Sequence, residues 1–160
     1  MNIQPPIRAA HSYVQRLAAT PARVFPLLCP VREADWIEGW HPLRVISASG
    51  VAEGDCVFVT AAEPADAIWY VTRHEPETGF VEMLRITPGV TACRLSIQLR
   101  ATQAGCDATV TYLHTSLGTP AGDAFVAGFT AAHYEQFMRD WEARLNHYLA
   151  HGTALPGERG

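Results

Sequence analysis

The residues best suited to chemistry at neutral pH are seven histidines: His11, His41, His74, His114, His133, His147 and His151. An imidazole changes charge near neutrality, so it can pass a proton or hold a metal ion. His147 and His151 are four apart and share one face of a helix. They stand at its end, where a cationic side chain also complements the helix dipole, and a solvated pair accounts for them without a metal. His114 alternates with Val110, Tyr112 and Ser116 on one face of a strand, while Thr109, Thr111, Leu113 and Thr115 share the other. Both faces mix apolar and polar side chains, so the inward one stays open. His133 falls between Phe129 and Phe137 at four-residue steps, which places it on the inward side of a helix. There it serves either as a hydrogen-bonded core residue or as a ligand contact. Together His114, Tyr112 and His133 could do general acid/base work on a carbonyl compound, provided both histidines lie on the same side of the core.

Other polar residues come in pairs. Trp69, Tyr70 and Arg73 sit on one strand, and Glu82, Met83 and Arg85 on its expected hairpin partner. An arginine facing inward could grip a ligand carboxylate with two bonds. Cross-strand surface pairing of Arg73, Glu82 and Arg85 is the plainer expectation. The segment from Arg32 to His41 is rich in aromatics and acids. Glu33 and Asp35 are two apart, so on a helix they do not face each other. Trp36 and Trp40, four apart, either close a pocket or pack in the core. Cys29, Cys56, Cys93 and Cys106 are widely spaced with no C-x-x-C pair, as expected of small buried hydrophobes. No P-loop, G-x-G-x-x-G, G-x-S-x-G or zinc spacing occurs, so no cofactor and no metal is expected.

Positioning these groups requires a scaffold, and its main clue is the last third of the chain. Apolar residues recur at Phe125, Phe129, Phe137, Trp141, Leu145 and Leu149, mostly in steps of four, and predict one long helix from Pro120 to His151. Before it come strand-like segments at Ile7–Leu17, Leu43–Ser49, Cys56–Ala61, Ala67–His74, Phe80–Ile86, Thr91–Ala101 and Ala108–Leu117, separated by short polar turns. Between the first two lie helix signals. Thr20 stands as N-cap with Pro21 at the first position, and a second short helix is expected over Val31–Glu38, stopped by Gly39. Short turns favour antiparallel hairpins over crossovers. The expected class is therefore α+β: a curved antiparallel sheet of six or seven strands around a long C-terminal helix, with two short helices after the first strand. A single domain is expected over 1–160, with its core at 7–150 and a frayed tail over 152–160.

Composition narrows the partners. Apolar residues make up 48% of the chain and charged ones 18%, which suits an ordered core. The 12 basic residues are all arginines, the net charge is −4, and no basic run occurs. Schiff-base chemistry and nucleic-acid binding are therefore not expected. No apolar stretch approaches the length of a membrane span, and the first residues have no signal-like apolar run. A cytoplasmic protein is expected, from a GC-rich bacterial gene by its Ala, Gly and Arg content.

Four segments carry a resemblance. Ala19-Thr-Pro-Ala-Arg-Val-Phe25 is similar to the A-P-x-x-V-F/W opening of the first helix in the START-like, or SRPBCC, superfamily. Ile68–Thr72, Gly105–Tyr112 and Trp141–Leu149 match later structural pieces of it. The superfamily takes in the birch-pollen allergen, the polyketide cyclase/dehydrase group and the lipid-transfer START domains. What the resemblance implies is a helix-grip fold with an apolar-ligand cavity between helix and sheet. Its members range from carriers to enzymes, so the fold alone does not choose. The expected ligand is a lipid, a polyketide-like aromatic, a quinone or an isoprenoid. It would be buried against Trp36, Trp40, Trp69, Met83, Phe129, Phe137 and Trp141 and oriented by Tyr112, His114 and His133. One alternative is a cyclase or dehydratase using a cavity histidine as acid or base. Another is a module that docks a partner protein and holds no ligand. A homodimer is the further partner expected.

Overall fold

In a computed structural model, residues 1–157 are described. Seven strands form one antiparallel sheet: β1 (Arg8–Leu17), β2 (Arg44–Ile46), β3 (Val57–Thr60), β4 (Ala67–Glu75), β5 (Phe80–Thr87), β6 (Thr91–Thr102) and β7 (Gly105–Ser116). Their spatial order is β1-β7-β6-β5-β4-β3-β2, so consecutive hairpins run from β2 to β7 and β1 closes the far edge. The turns use the residues their geometry demands. Gly79 and Gly89 take φ of 72° and 75° at the β4–β5 and β5–β6 hairpins, a region that glycine enters without a Cβ penalty. A register shift between Val71 and Arg73 puts a bulge into β4, and bulges bend the strand that holds them.

Between β1 and β2 lie a short helix α1 (Pro21–Val24), a 3-10 turn at Phe25–Leu27 and a second at Arg32–Asp35. Pro21 holds the first helical position, as its fixed φ allows. The predicted helix over Val31–Glu38 is thus reduced to a single 3-10 turn. Gly39 does stop the segment, at φ 75°.

The predicted long helix is two helices: α2 (Pro120–Gly128) and α3 (Ala131–His151). Phe129 leaves the helical region at φ −82°, ψ 64°, and Thr130 is extended. The Thr130 hydroxyl then accepts the His133 amide and starts α3 afresh. This break changes the phase of the apolar stripe. The buried face of α3 runs Tyr134, Met138, Trp141, Leu145 and Leu149, and His133 is exposed. The inward placement of His133 therefore fails, because steps of exactly four overshoot the 3.6-residue turn and drift about 40° each, which carries Phe137 to the edge of the buried face and His133 off it.

The concave face of the sheet carries alternating inward residues. On β7 these are Cys106, Ala108, Val110, Tyr112 and His114, which answers the open question of that strand's inward face. On β6 they are Thr91, Cys93, Leu95, Ile97 and Leu99. α3 lies over the β1 end of this face and is fastened there by polar contacts. Gln15 donates from Nε2 to the Met138 carbonyl at 3.1 Å. The Arg16 amide donates to Glu142, the Ala18 amide to Asn146 at 2.9 Å, and Asn146 Nδ2 back to the Arg16 carbonyl at 2.9 Å. The Tyr134 hydroxyl donates to the Val110 carbonyl. These contacts satisfy part of the free edge of β1, which would otherwise invite pairing with another chain. After α3 the chain continues without regular structure; Ala154 and Leu155 are half-buried, and the Gly157 amide donates to Glu38. Residues 158–160 of the expected frayed tail lie outside the described residues.

Leu145 is fully buried, whereas Phe137 remains 38% exposed. Leu145→Ala should cost about 2–5 kcal/mol by denaturant unfolding, from lost burial and a residual void. Phe137→Ala should cost less than half as much. Equal costs would mean that Phe137, not Tyr134 and Met138, faces the sheet.

Candidate functional site

α3 and the sheet enclose a cavity of about 440 Å³. Its floor is the β3–β7 part of the sheet: Phe58 and Thr60 on β3, Trp69 on β4, Met83 and Arg85 on β5, Leu95 on β6 and Tyr112 on β7. Phe137, Asp140, Trp141 and Arg144 of α3 form one wall. The 3-10 turn and the residues after it supply Glu33, Ile37, Glu38 and Trp40. Exposed Glu38, Ala61 and Asp140 mark the side open to solvent.

Alternation on each strand explains the floor. Val81, Met83 and Arg85 project from β5 toward the same side, as Trp69 and Val71 do from β4. Trp69 is held flat: its Nε1 donates to the Thr60 hydroxyl at 3.0 Å, and its ring stacks on Phe58 at 5.2 Å and 13°. The Arg85 guanidinium lies over the Trp69 ring, 5.1 Å from its centroid. Arg85 Nε is buried and has no hydrogen-bond partner among the described residues. The expected surface pairing of Arg73, Glu82 and Arg85 is therefore corrected. Arg73 bonds Glu75 on its own strand at 2.8 Å, Glu82 accepts from Thr72, and Arg85 points into the cavity.

Two further polar groups face the ligand space. Glu33 lines it from the 3-10 turn, and burial alone pushes its carboxyl from 4.5 up to about 7. Burial also raises the Tyr112 phenol well above its usual value; smaller contributions come from Cys93, Glu33 and Tyr134, with Arg85 opposing them. Tyr112 thus stands within electrostatic reach of both Glu33 and Arg85.

Of the residues expected to bind ligand, Trp40, Trp69, Met83, Tyr112, Phe137 and Trp141 line this cavity. Trp36, Phe129, His114 and His133 do not. Trp36 is completely buried; its Nε1 donates to the Leu27 carbonyl at 3.1 Å and its ring meets Trp141 at 5.4 Å. Phe129 is buried between His114, at 4.6 Å, and His133, at 6.0 Å. His114 therefore packs beneath α2, against Phe125 and Phe129, and not in the cavity. Burial, with help from Arg85, lowers its pKa from 6.5 to about 4, so it is neutral at pH 7. The proposed His–Tyr–His cluster does not assemble around a ligand, since no histidine lines the cavity. Glu33 is one of three acids between Arg32 and Trp40, with Asp35 and Glu38, and nothing in the spacing singles it out as the one that faces the interior.

Among the described residues, no group of His, Cys, Asp and Glu could hold a metal ion, and no helix is long and apolar enough to cross a membrane. All four cysteines are free and buried, and burial pushes the Cys93 thiol up to about 12.

No family model and no curated protein matches the chain. Solved structures do match. Truncated norcoclaurine synthase from Thalictrum flavum aligns over 91% of this chain and 97% of its own, with TM-score 0.65 and 14% identity. Ara h 8.0201 aligns over 89% of this chain and 98% of its own, with TM-score 0.61 and 10% identity. DynU16, from the dynemicin biosynthetic locus, aligns over 94% of this chain at TM-score 0.54 and 19% identity. This chain spans about half of DynU16, 49% of its length. At these identities the likeness establishes the fold. It is the helix-grip fold that the sequence resemblance implied.

Two buried groups should leave opposite marks on stability. Glu33 holds its proton more tightly folded than unfolded, so its contribution is fully present below pH 4.5 and is lost as pH rises through about 7. His114 resists protonation when folded, so its contribution is present above pH 6.5 and is lost as pH falls through about 4. Relative to wild type, Glu33→Gln should gain melting temperature toward pH 8, and His114→Gln toward pH 4. Differences that stay flat with pH would show that neither group is buried as described.

Proposed function

We propose that the protein binds a small, largely apolar molecule in the cavity between α3 and the sheet. The cavity carries this reading: about 440 Å³, walled by Trp40, Phe58, Trp69, Phe137 and Trp141. That volume falls within the range of about 300–1,000 Å³ usual for small-molecule sites. It suits a molecule of a few rings or a short isoprenoid better than a two-tailed lipid. Binding energy comes from burying ligand area against aromatic faces. Arg85, Tyr112 and Glu33 then orient whatever polar group the ligand carries.

One observation favours a second reading, a cyclase- or dehydratase-type enzyme. Glu33, with its pKa near 7, is matched to proton transfer at neutral pH in a way that no histidine of this cavity is. In that reading Glu33 moves the proton, and Arg85 and Tyr112 steady charge developing on a carbonyl oxygen. The docking-module reading required a filled core, and the cavity argues against it.

A fluorescence titration with the neutral probe N-phenyl-1-naphthylamine tests the main reading. It should saturate at one probe per chain. Ala61→Trp, at the open side, should weaken binding about tenfold without changing the fold by circular dichroism. A probe that does not bind, or binds equally well to both proteins, would remove the cavity from consideration.

A further inference from the structure

Arg85 is a cation that the fold draws partly out of water without supplying an anion. It makes no ion pair among the described residues; the four ion pairs involve Arg32, Arg73, Arg100 and Arg139. Its neighbours across the sheet are fixed by register: Trp69 on one side, then Cys93 and His114 on the other. None of them carries negative charge. The indole gives only its ring face, at 5.1 Å. The Cys93 thiol stays protonated, with its pKa near 12, and His114 is a neutral imidazole. Three carboxylates border the cavity, Glu33, Glu38 and Asp140, and none of them forms an ion pair with Arg85.

An uncompensated buried charge is costly, and a guanidinium is most strongly satisfied by the paired oxygens of a carboxylate. Its seat over the Trp69 ring already restrains the guanidinium, so less freedom is lost when a ligand reaches its unpartnered Nε. Aromatic side chains make up much of the remaining lining, with Phe58, Tyr112, Phe137 and Trp141 among them. We infer that the ligand is an aromatic carboxylate, its acid group paired with Arg85 and its rings laid against these side chains. This rests on the cavity-binding reading and specifies its ligand class. Within the ligands considered, it selects an acidic aromatic over a neutral quinone, isoprenoid or alkyl lipid.

Calorimetric titration of the intact protein with 2-naphthoate and with 2-naphthalenemethanol, equal in ring system and differing in charge, tests the inference. Naphthoate should bind about tenfold tighter or more. Arg85→Met should erase that preference, so that acid and alcohol bind the variant with equal affinity. Arg85→Lys keeps the charge but loses the fork; it should weaken naphthoate several-fold, and it decides the matter should Arg85→Met not fold. Equal affinity of wild type for acid and alcohol would overturn the inference, as would a preference that survives at Arg85→Met. If N-phenyl-1-naphthylamine binds but naphthoate does not, the inference fails and the cavity reading stands. If none of the three binds, both fail together.

Discussion

The structure depends on where α3 is tied down. Its polar contacts with the sheet reach the β1 end: Met138 to Gln15, Glu142 and Asn146 to the backbone at Arg16 and Ala18, Tyr134 to Val110 on the adjacent strand. A single helix is about 10 Å wide, and a seven-stranded sheet is several times broader, at about 4.8 Å per strand. One helix anchored near an edge cannot cover such a face. The uncovered part, over β3 to β7, is the cavity. α1 and the 3-10 turns shield it from one side, and this is why Glu33, Ile37 and Trp40 come to its wall. The ligand space is thus what remains once the free edge of β1 has been satisfied.

Polarity within that space is uneven. One line across the concave face, set by register, runs Phe58, Trp69, Arg85, Cys93, His114. The next runs Val71, Met83, Leu95, Tyr112. The first therefore carries the cation and the neutral imidazole, and the second is apolar until Tyr112. Burial keeps His114 uncharged and sends its ring beneath α2, where Phe125 and Phe129 close over it. Carboxylates border the cavity from the other side, Glu33 and Glu38 at and after the 3-10 turn and Asp140 on α3, where Arg144 adds a second cation. Arg85 belongs to the sheet and those carboxylates to the elements packed over it, and no ion pair joins them among the described residues.

Much of the fold was legible from spacing. Strand alternation and polar turns placed all seven strands within a few residues, because period-two patterns and Gly or Pro turns are local signals. The helix break was not, since Phe129 belongs by composition to the apolar stripe and Thr130 caps a helix only if one begins there. Within α3, a stripe read in exact fours drifts around the 3.6-residue helix, and over the steps from Leu149 back to His133 that drift carries the histidine to the surface. The aromatic half of the site was readable, as large apolar side chains on inward faces must be buried somewhere. The polar half was not. Arg85 and Glu33 are of types that usually face water, and only the register of β5 and the path of the 3-10 turn turn them inward. Histidine drew attention because its chemistry is obvious. Burial, which sequence does not state, removed it from contention.

The placement of the tryptophans has a spectroscopic consequence. Trp40, Trp69 and Trp141 border the cavity, and Trp36 touches Trp141 at 5.4 Å. Three of the four tryptophans therefore border the cavity and the fourth packs against one of them, so the intrinsic ultraviolet emission of the protein arises from side chains at or next to the cavity wall. Without any added label, the chain is its own occupancy sensor.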